Sequence, residues 1–247
     1  MGMKHIGKMT VAAHRGDCYN YYENTMRAFE YAIEVGSAMI ETDLHLSKDG
    51  VIVLIHDHTL DRTTDAKGKV SDMTFEELRR VNAGDKNNFD AIPTLEELIV
   101  LASKNQIMLN LEFKEYYSEE NEARCVKCIE DALALVEKYN MTDMIIVNSF
   151  DAWVLEYVYK KYGKKYMLHG FYPYSIMSNV TINPDEYLYC ACIDHKTKEY
   201  YDYLISKGIE PWIGAGATQR DRLLVAVEYG AKLITTNNPG DVLNKLK

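Results

Sequence analysis

Several features that would place a chain in a class at once are missing from this sequence. No stretch reaches the ~18 consecutive apolar residues of a membrane-spanning helix, so no integral membrane segment is expected. Residues 1–8, MGMKHIGK, hold no apolar core of a secretory leader. No run of Lys and Arg occurs, and 28 basic against 37 acidic residues leave a net charge of −9. A phosphate backbone repels such a chain, so nucleic acid is not expected as a partner. No linker, low-complexity tract or close repeat breaks the chain, and one domain over residues 1–247 is expected. The five cysteines, at 18, 125, 128, 190 and 192, are odd in number and share no recurring spacing. Cys125 and Cys128 have metal-knuckle spacing, but no second Cys or His pair accompanies them, and their helical pattern reads as two packed thiols. Cys190 and Cys192 share one face of an apparent strand. Reduced thiols fit a cytoplasmic location.

What is present is ordinary globular usage, 47% hydrophobic and 26% charged residues. Short apolar runs, at residues 9–13, 38–43, 107–113, 144–148, 166–170, 187–193, 210–214 and 232–235, alternate with stretches of helical periodicity. In residues 119–139, for example, Val126, Ile129, Leu133 and Val136 recur three or four apart. Alternating strand and helix implies a parallel sheet. Eight such units in 247 residues match the ~250-residue size of an α/β (β/α)8 TIM barrel. One region breaks the rhythm: about 60 residues, 44–106, separate the second and third strands. Two capping boxes lie there, with Glu77 three after Thr74 and Glu97 three after Thr94. The first predicts a short inserted helix and the second the helix leading to strand three. Residues 51–55 read as a loop strand near a site. Insertions of this kind sit on the face where barrel enzymes work.

The chemistry concentrates at strand ends. Alternation puts Glu41 and Asp43 on one face at the end of the second strand. Glu112 and Lys114 share a face at the end of the third. Three carboxylates at adjacent strand ends repel one another unless a cation or proton lies between them. One hard divalent cation, Mg2+ or Ca2+, suits such all-oxygen ligands. A plain salt-bridge cluster with Lys114 and Arg15 is the competing reading. His14 follows the first strand and His56 the loop strand, and a His is the natural acid or base near neutral pH. His58 is the rival to His56, and His45 shares parity with the acids. His5, His169 and His195 read as structural. The 19 tyrosines against 6 phenylalanines include Tyr19, Tyr21 and Tyr22 after the first strand and Tyr172 and Tyr174 after the fifth. These rings suit a polyol or head-group pocket and suit packing equally well. Trp212, at the end of the seventh strand, is the expected glycerol wall.

Taken together, His14-Arg15-Gly16, Glu23-Asn24-Thr25, Glu41-Thr42-Asp43, Lys48-Asp49-Gly50, His56-Asp57, Leu60 and Arg62-Thr63-Thr64 resemble the glycerophosphodiester phosphodiesterase family. Glu112-Phe113-Lys114 and Ser149-Phe150-Asp151 extend the resemblance. It implies a (β/α)8 barrel with an insertion after the second strand. It also implies a metal-dependent hydrolase of glycerophosphodiesters that releases sn-glycerol 3-phosphate and an alcohol by way of a cyclic phosphate. In that resemblance His14 and His56 are the acid–base pair and Glu41, Asp43 and Glu112 the metal ligands, while Arg15 and Lys114 hold the phosphate. The chain departs from the family pattern at Tyr22, where proline is common, at Ile213-Gly214-Ala215 after Trp212, and at Asn237. These departures fall on the side that meets the non-phosphate part of the substrate. The alternatives are a lysophospholipase D-like phosphodiesterase on the same scaffold and a non-catalytic barrel that captures head groups. Intact His14 and His56 speak against the second, because binding needs no proton transfer.

Overall fold

The computed structural model describes residues 9–214 and 216–247, so His5 and Ala215 lie outside the described residues. Eight parallel strands close into a barrel: β1 (Thr10–His14), β2 (Met39–Leu46), β4 (Met108–Phe113), β5 (Ile145–Asn148), β6 (Met167–Phe171), β7 (Cys190–Ile193), β8 (Glu210–Ile213) and β9 (Leu233–Thr236). β1 pairs with both β2 and β9, which completes the ring. Helices α1 (Met26–Glu34), α3 (Leu95–Asn105), α4 (Glu122–Lys138), α5 (Ala152–Tyr162), α6 (Lys198–Ser206), α7 (Arg220–Tyr229) and α8 (Pro239–Leu246) connect or close the strands. Between β6 and β7 the connection carries two 3₁₀ turns, Tyr174–Ile176 and Pro184–Glu186. The architecture is a TIM barrel, as the alternating pattern implies.

The insertion contains β3 (Ile52–Leu54) and the short helix α2 (Phe75–Leu78). Both capping boxes form: Thr74 accepts from Glu77 N–H and Thr94 from Glu97 N–H, and each glutamate returns a bond to the cap backbone. β3 runs antiparallel to the outer end of β2, with His45 opposite Val53. A separate apolar cluster of Val53, Ile55, Leu60, Val70, Leu78, Val81, Ala83 and Ile92 supports this segment. Ile55 then donates its N–H to the Asp43 carbonyl, so the following residue, His56, is set down beside the end of β2.

Inside the barrel, inward residues stack in layers, as this fold requires. Ala12, Met39, Ile146, Cys190, Trp212 and Leu233 form one apolar layer. Two residues further along the strands, the inward positions become His14, Glu41, Asn110, Asn148, His169 and Cys192, and two further again come Asp43 and Glu112. A dry floor therefore lies beneath a polar mouth.

Candidate active site

The register explains the meeting of the acids. Glu41 pairs with His14 across β1–β2, and Asp43 pairs with Glu112 across β2–β4. Ligand oxygens of Glu41, Asp43 and Glu112 all lie within 4.8 Å of one another, and all three residues are buried. Burial, reinforced by Asp43 and Glu112, holds the Glu41 carboxyl well above its usual range. Burial also raises Glu112, with Lys114 opposing it. Asp43 feels the same burial, but Lys114 and Arg15 outweigh it and hold its carboxyl below the usual value.

Two cations enter the cluster. The Lys114 ammonium lies 3.2 Å from Asp43 Oδ1 and donates to Glu112. Arg15 takes a left-handed backbone, φ 56°, at the end of β1. That bend points its N–H at Glu41 Oε2, 3.0 Å away, and brings Nε to 3.2 Å from Asp43 Oδ2. Gly16 continues the turn at φ 78°, where a Cβ would come within 2.7 Å of the Ala28 backbone. Three carboxylates and two cations still leave one negative charge if all are ionised. Glu41 Oε1 is buried with no hydrogen-bond partner. An oxygen-only donor set with a residual negative charge and an unpartnered oxygen fits a hard divalent cation. The salt bridges to Lys114 and Arg15 are also present, so the two readings of the acids coexist in one cluster.

Two histidines lie near the acids, with unlike partners. His14 Nε2 is 3.9 Å from Glu41 Oε2, and its Nδ1 meets Asn237 Oδ1 at 2.6 Å. Burial and the neighbouring Arg15 lower its pKa. His56 Nδ1 meets Asp57 Oδ1 at 2.6 Å. Arg62 grips Asp57 and Glu23 at once, and Glu23 in turn bonds Arg15. Arg62, followed by His56, holds the Asp57 carboxyl far below its usual range, with burial opposing. Asn24, also in a left-handed conformation, donates to Asp43 Oδ2 and accepts from Thr42. The sequence motif contains Glu23, Asn24, Asp57 and Arg62, whereas Asn237 is a departure from it and meets His14 rather than the non-phosphate side; these contacts reach across as many as 223 positions, which spacing does not carry.

His45 and His58 stand apart from the acids. His45 contacts Glu115 and the His56 carbonyl, and its ring packs edge-on to His58 at 4.7 Å. It lies on the part of β2 beyond the barrel, where β3 is the partner.

One expectation is corrected. Trp212 is fully buried in the barrel floor, its indole N–H bonded to Glu210 at 3.1 Å, and it has no surface to offer a substrate. The next inward position on the chain is Gly214, which has no side chain, and a Cβ there would meet Cys192 Sγ at 3.6 Å. The stacked rings of Phe150 and Phe171 stand nearer the site, with Lys114 6.0 Å from the Phe150 centroid. Tyr172 packs with Tyr174, Tyr200 and Tyr203 at about 5 Å, which is the packing reading for that pair. Cys125, Cys128 and Cys190 are buried free thiols, and Cys192 is half-buried.

The barrel gathers acids and two histidines at one mouth, a constellation that many hydrolytic chemistries use, and comparison with known proteins identifies the family. A model of the glycerophosphoryl diester phosphodiesterase family matches residues 14–183. A glycerophosphodiester phosphodiesterase of Bacillus altitudinis is 33% identical over 244 residues, covering 96% of this chain and 89% of that protein. One from Caldanaerobacter subterraneus is 38% identical over 161 residues, 62% of this chain and 63% of that protein. An Oleispira antarctica phosphodiesterase, solved in complex with the product sn-glycerol-3-phosphate, has the same fold at a TM-score of 0.83, with 22% identity and 96% of each chain covered. The chain belongs to the glycerophosphoryl diester phosphodiesterase family of hydrolases.

Proposed function

We propose that the protein hydrolyses glycerophosphodiesters to sn-glycerol 3-phosphate and an alcohol, using His14 and His56 as acid and base around one divalent cation. The observation that carries this reading is the buried triad of Glu41, Asp43 and Glu112 with His14 beside Glu41 and His56 near Asp43. The family membership supports the substrate class. A bound Mg2+ or Ca2+ would offset charge on phosphate oxygens and acidify a nearby hydroxyl. Arg15 and Lys114 bind the phosphate, Arg15 as a fork and Lys114 as a point charge. Both now lie on carboxylates of the triad, so an arriving phosphate exchanges one set of anionic oxygens for another.

The route we propose begins with the glycerol hydroxyl beside the ester. It attacks phosphorus, one histidine takes its proton, and the other protonates the departing alcohol. Water then opens the cyclic glycerol phosphate as the two histidines reverse roles. Holding the neighbouring hydroxyl against phosphorus makes the first step intramolecular, a gain of up to ~7–11 kcal/mol in well-oriented cases. Turnover of sn-glycero-3-phosphocholine with and without chelator, beside its 2-deoxyglycerol analogue, tests both parts. The natural diester should be hydrolysed only with divalent cation, and the analogue should bind yet turn over very slowly. Equal rates for the two diesters would replace the cyclic route by direct attack of water, and indifference to chelator would remove the cation.

A further inference from the structure

We infer that the cleft between the loop after β1 and the insertion is the subsite for the alcohol half of the diester, and that it selects a cationic amino alcohol of the choline type. The inference rests on the proposed function and names the part of the substrate that the acid cluster leaves unassigned. The cleft has a volume of about 910 Å³, within the range of small-molecule sites. It adjoins the catalytic centre through Glu23 and Arg62, which line its wall and also contact Arg15 and Asp57. An alcohol leaving a phosphate held by Arg15 has this space beside it.

The lining is also aromatic. Tyr19, Tyr21 and Tyr22 are 71%, 40% and 45% exposed, unlike the packed tyrosines near β6. They are held on a fixed backbone. Tyr19 N–H donates to the Asn237 carbonyl, Tyr21 N–H to the Asp17 carbonyl, and the Tyr21 ring rests on Tyr31 at 5.1 Å. Exposed rings on an ordered loop offer their negative faces to a cation. The charge of the cleft points the same way. Glu23 and Arg62 neutralise each other. Asp65 accepts the Asn82 N–H, and Asp85 accepts from Asn87 and Asn88; among the described residues neither carboxylate is paired with a cation. Against these two charges stands only Lys86. A quaternary or primary ammonium therefore meets π faces and a net negative charge, whereas a polyol alcohol meets neither benefit.

The test compares sn-glycero-3-phosphocholine with its neutral isostere, the 3,3-dimethylbutyl diester, on wild-type protein and on Tyr19→Leu and Tyr22→Leu variants. Leucine keeps apolar bulk and removes the π face. The wild type should favour the choline ester in kcat/KM, and each variant should lower the choline rate about two- to tenfold while sparing the isostere. Equal rates on the two diesters in the wild type, or equal losses on both in the variants, would overturn the subsite. Hydrolysis of neither diester by the wild type would overturn the proposed activity, and the subsite with it. An Asp85→Asn variant, which retains a side-chain acceptor for its loop, should reproduce the selective loss; unchanged selectivity would contradict the electrostatic part.

Discussion

His14 lies beside Glu41 and His56 close enough to Asp43 to bear on its charge, yet each ring is oriented by a different chemistry, an amide at Asn237 and a carboxylate at Asp57. His56 is the residue whose placement is most open to challenge, because His58 lies two positions away. The structure separates them physically. His58 packs edge-on against His45 and Tyr116 and lines a pocket with Glu115 and Arg124, away from the acids. His56→Ala should lower kcat by ~10²–10⁴, the usual contribution of general acid–base catalysis, while His58→Ala should retain most activity. Steady-state assays of the two variants decide it, and a dead His58 variant with an active His56 variant would reassign the pair. Strand parity made Glu41, Asp43 and Glu112 legible from sequence, since period-two alternation needs only a correct strand. Trp212 is inward, as alternation allows, but alternation gives the face and not the height in the barrel, and the residue lies in the buried floor layer. The register Trp212–Leu233 puts it in the floor layer, and only the staggered closure of the ring determines that.

At the scale of elements, the inserted segment shows which signals survive without tertiary context. Thr74 and Thr94 with their glutamates form the two predicted capping boxes, because a cap is satisfied within four residues. The loop strand is also readable, and its antiparallel pairing to β2, which sets down His56, closes locally through the turn at residues 47–51, where Ser47 N–H donates to the Val51 carbonyl. Helix α8, which completes the eighth unit, opens on Pro239 and is likewise capped locally, the Asn238 side chain accepting from Asp241 N–H. Thr94 joins α3 to the insertion, since Glu97 of its box also bonds Arg79. Thr94→Ala should cost about 0.5–2 kcal/mol in urea unfolding and leave kcat within about twofold. No change in the unfolding midpoint would show that Glu97 and Arg79 hold the helix end without the cap.

The whole molecule is a dry-floored barrel whose polar layer holds ionisable groups out of water, and this gives stability a pH dependence. His169 is fully enclosed near Asn110, Phe171 and Trp212, and burial lowers its pKa to about 3. Its folded-state pKa lies below the unfolded value of about 6.5, so the folded state favours the neutral ring. That stabilisation is complete above pH ~6.5 and is lost as pH falls towards 3, at up to about 1.4 kcal/mol per pH unit. A His169→Gln variant should show a shallower loss of unfolding free energy than the wild type between pH 6.5 and 4.5. Parallel slopes in urea titrations across that window would mean that the ring is not the group responsible.

In the proposed function, Glu41, Asp43 and Glu112 hold a divalent cation rather than only Lys114 and Arg15. Calorimetric titration of Mg2+ and of Ca2+ into the wild type and into a folded Glu112→Gln variant tests it without recourse to turnover. The wild type should take up one equivalent of at least one of the two ions, and the variant should give no binding heat at the same concentrations. Equal affinity in the two proteins, or no binding by the wild type, would contradict the metal centre and leave the acids as a salt-bridge cluster.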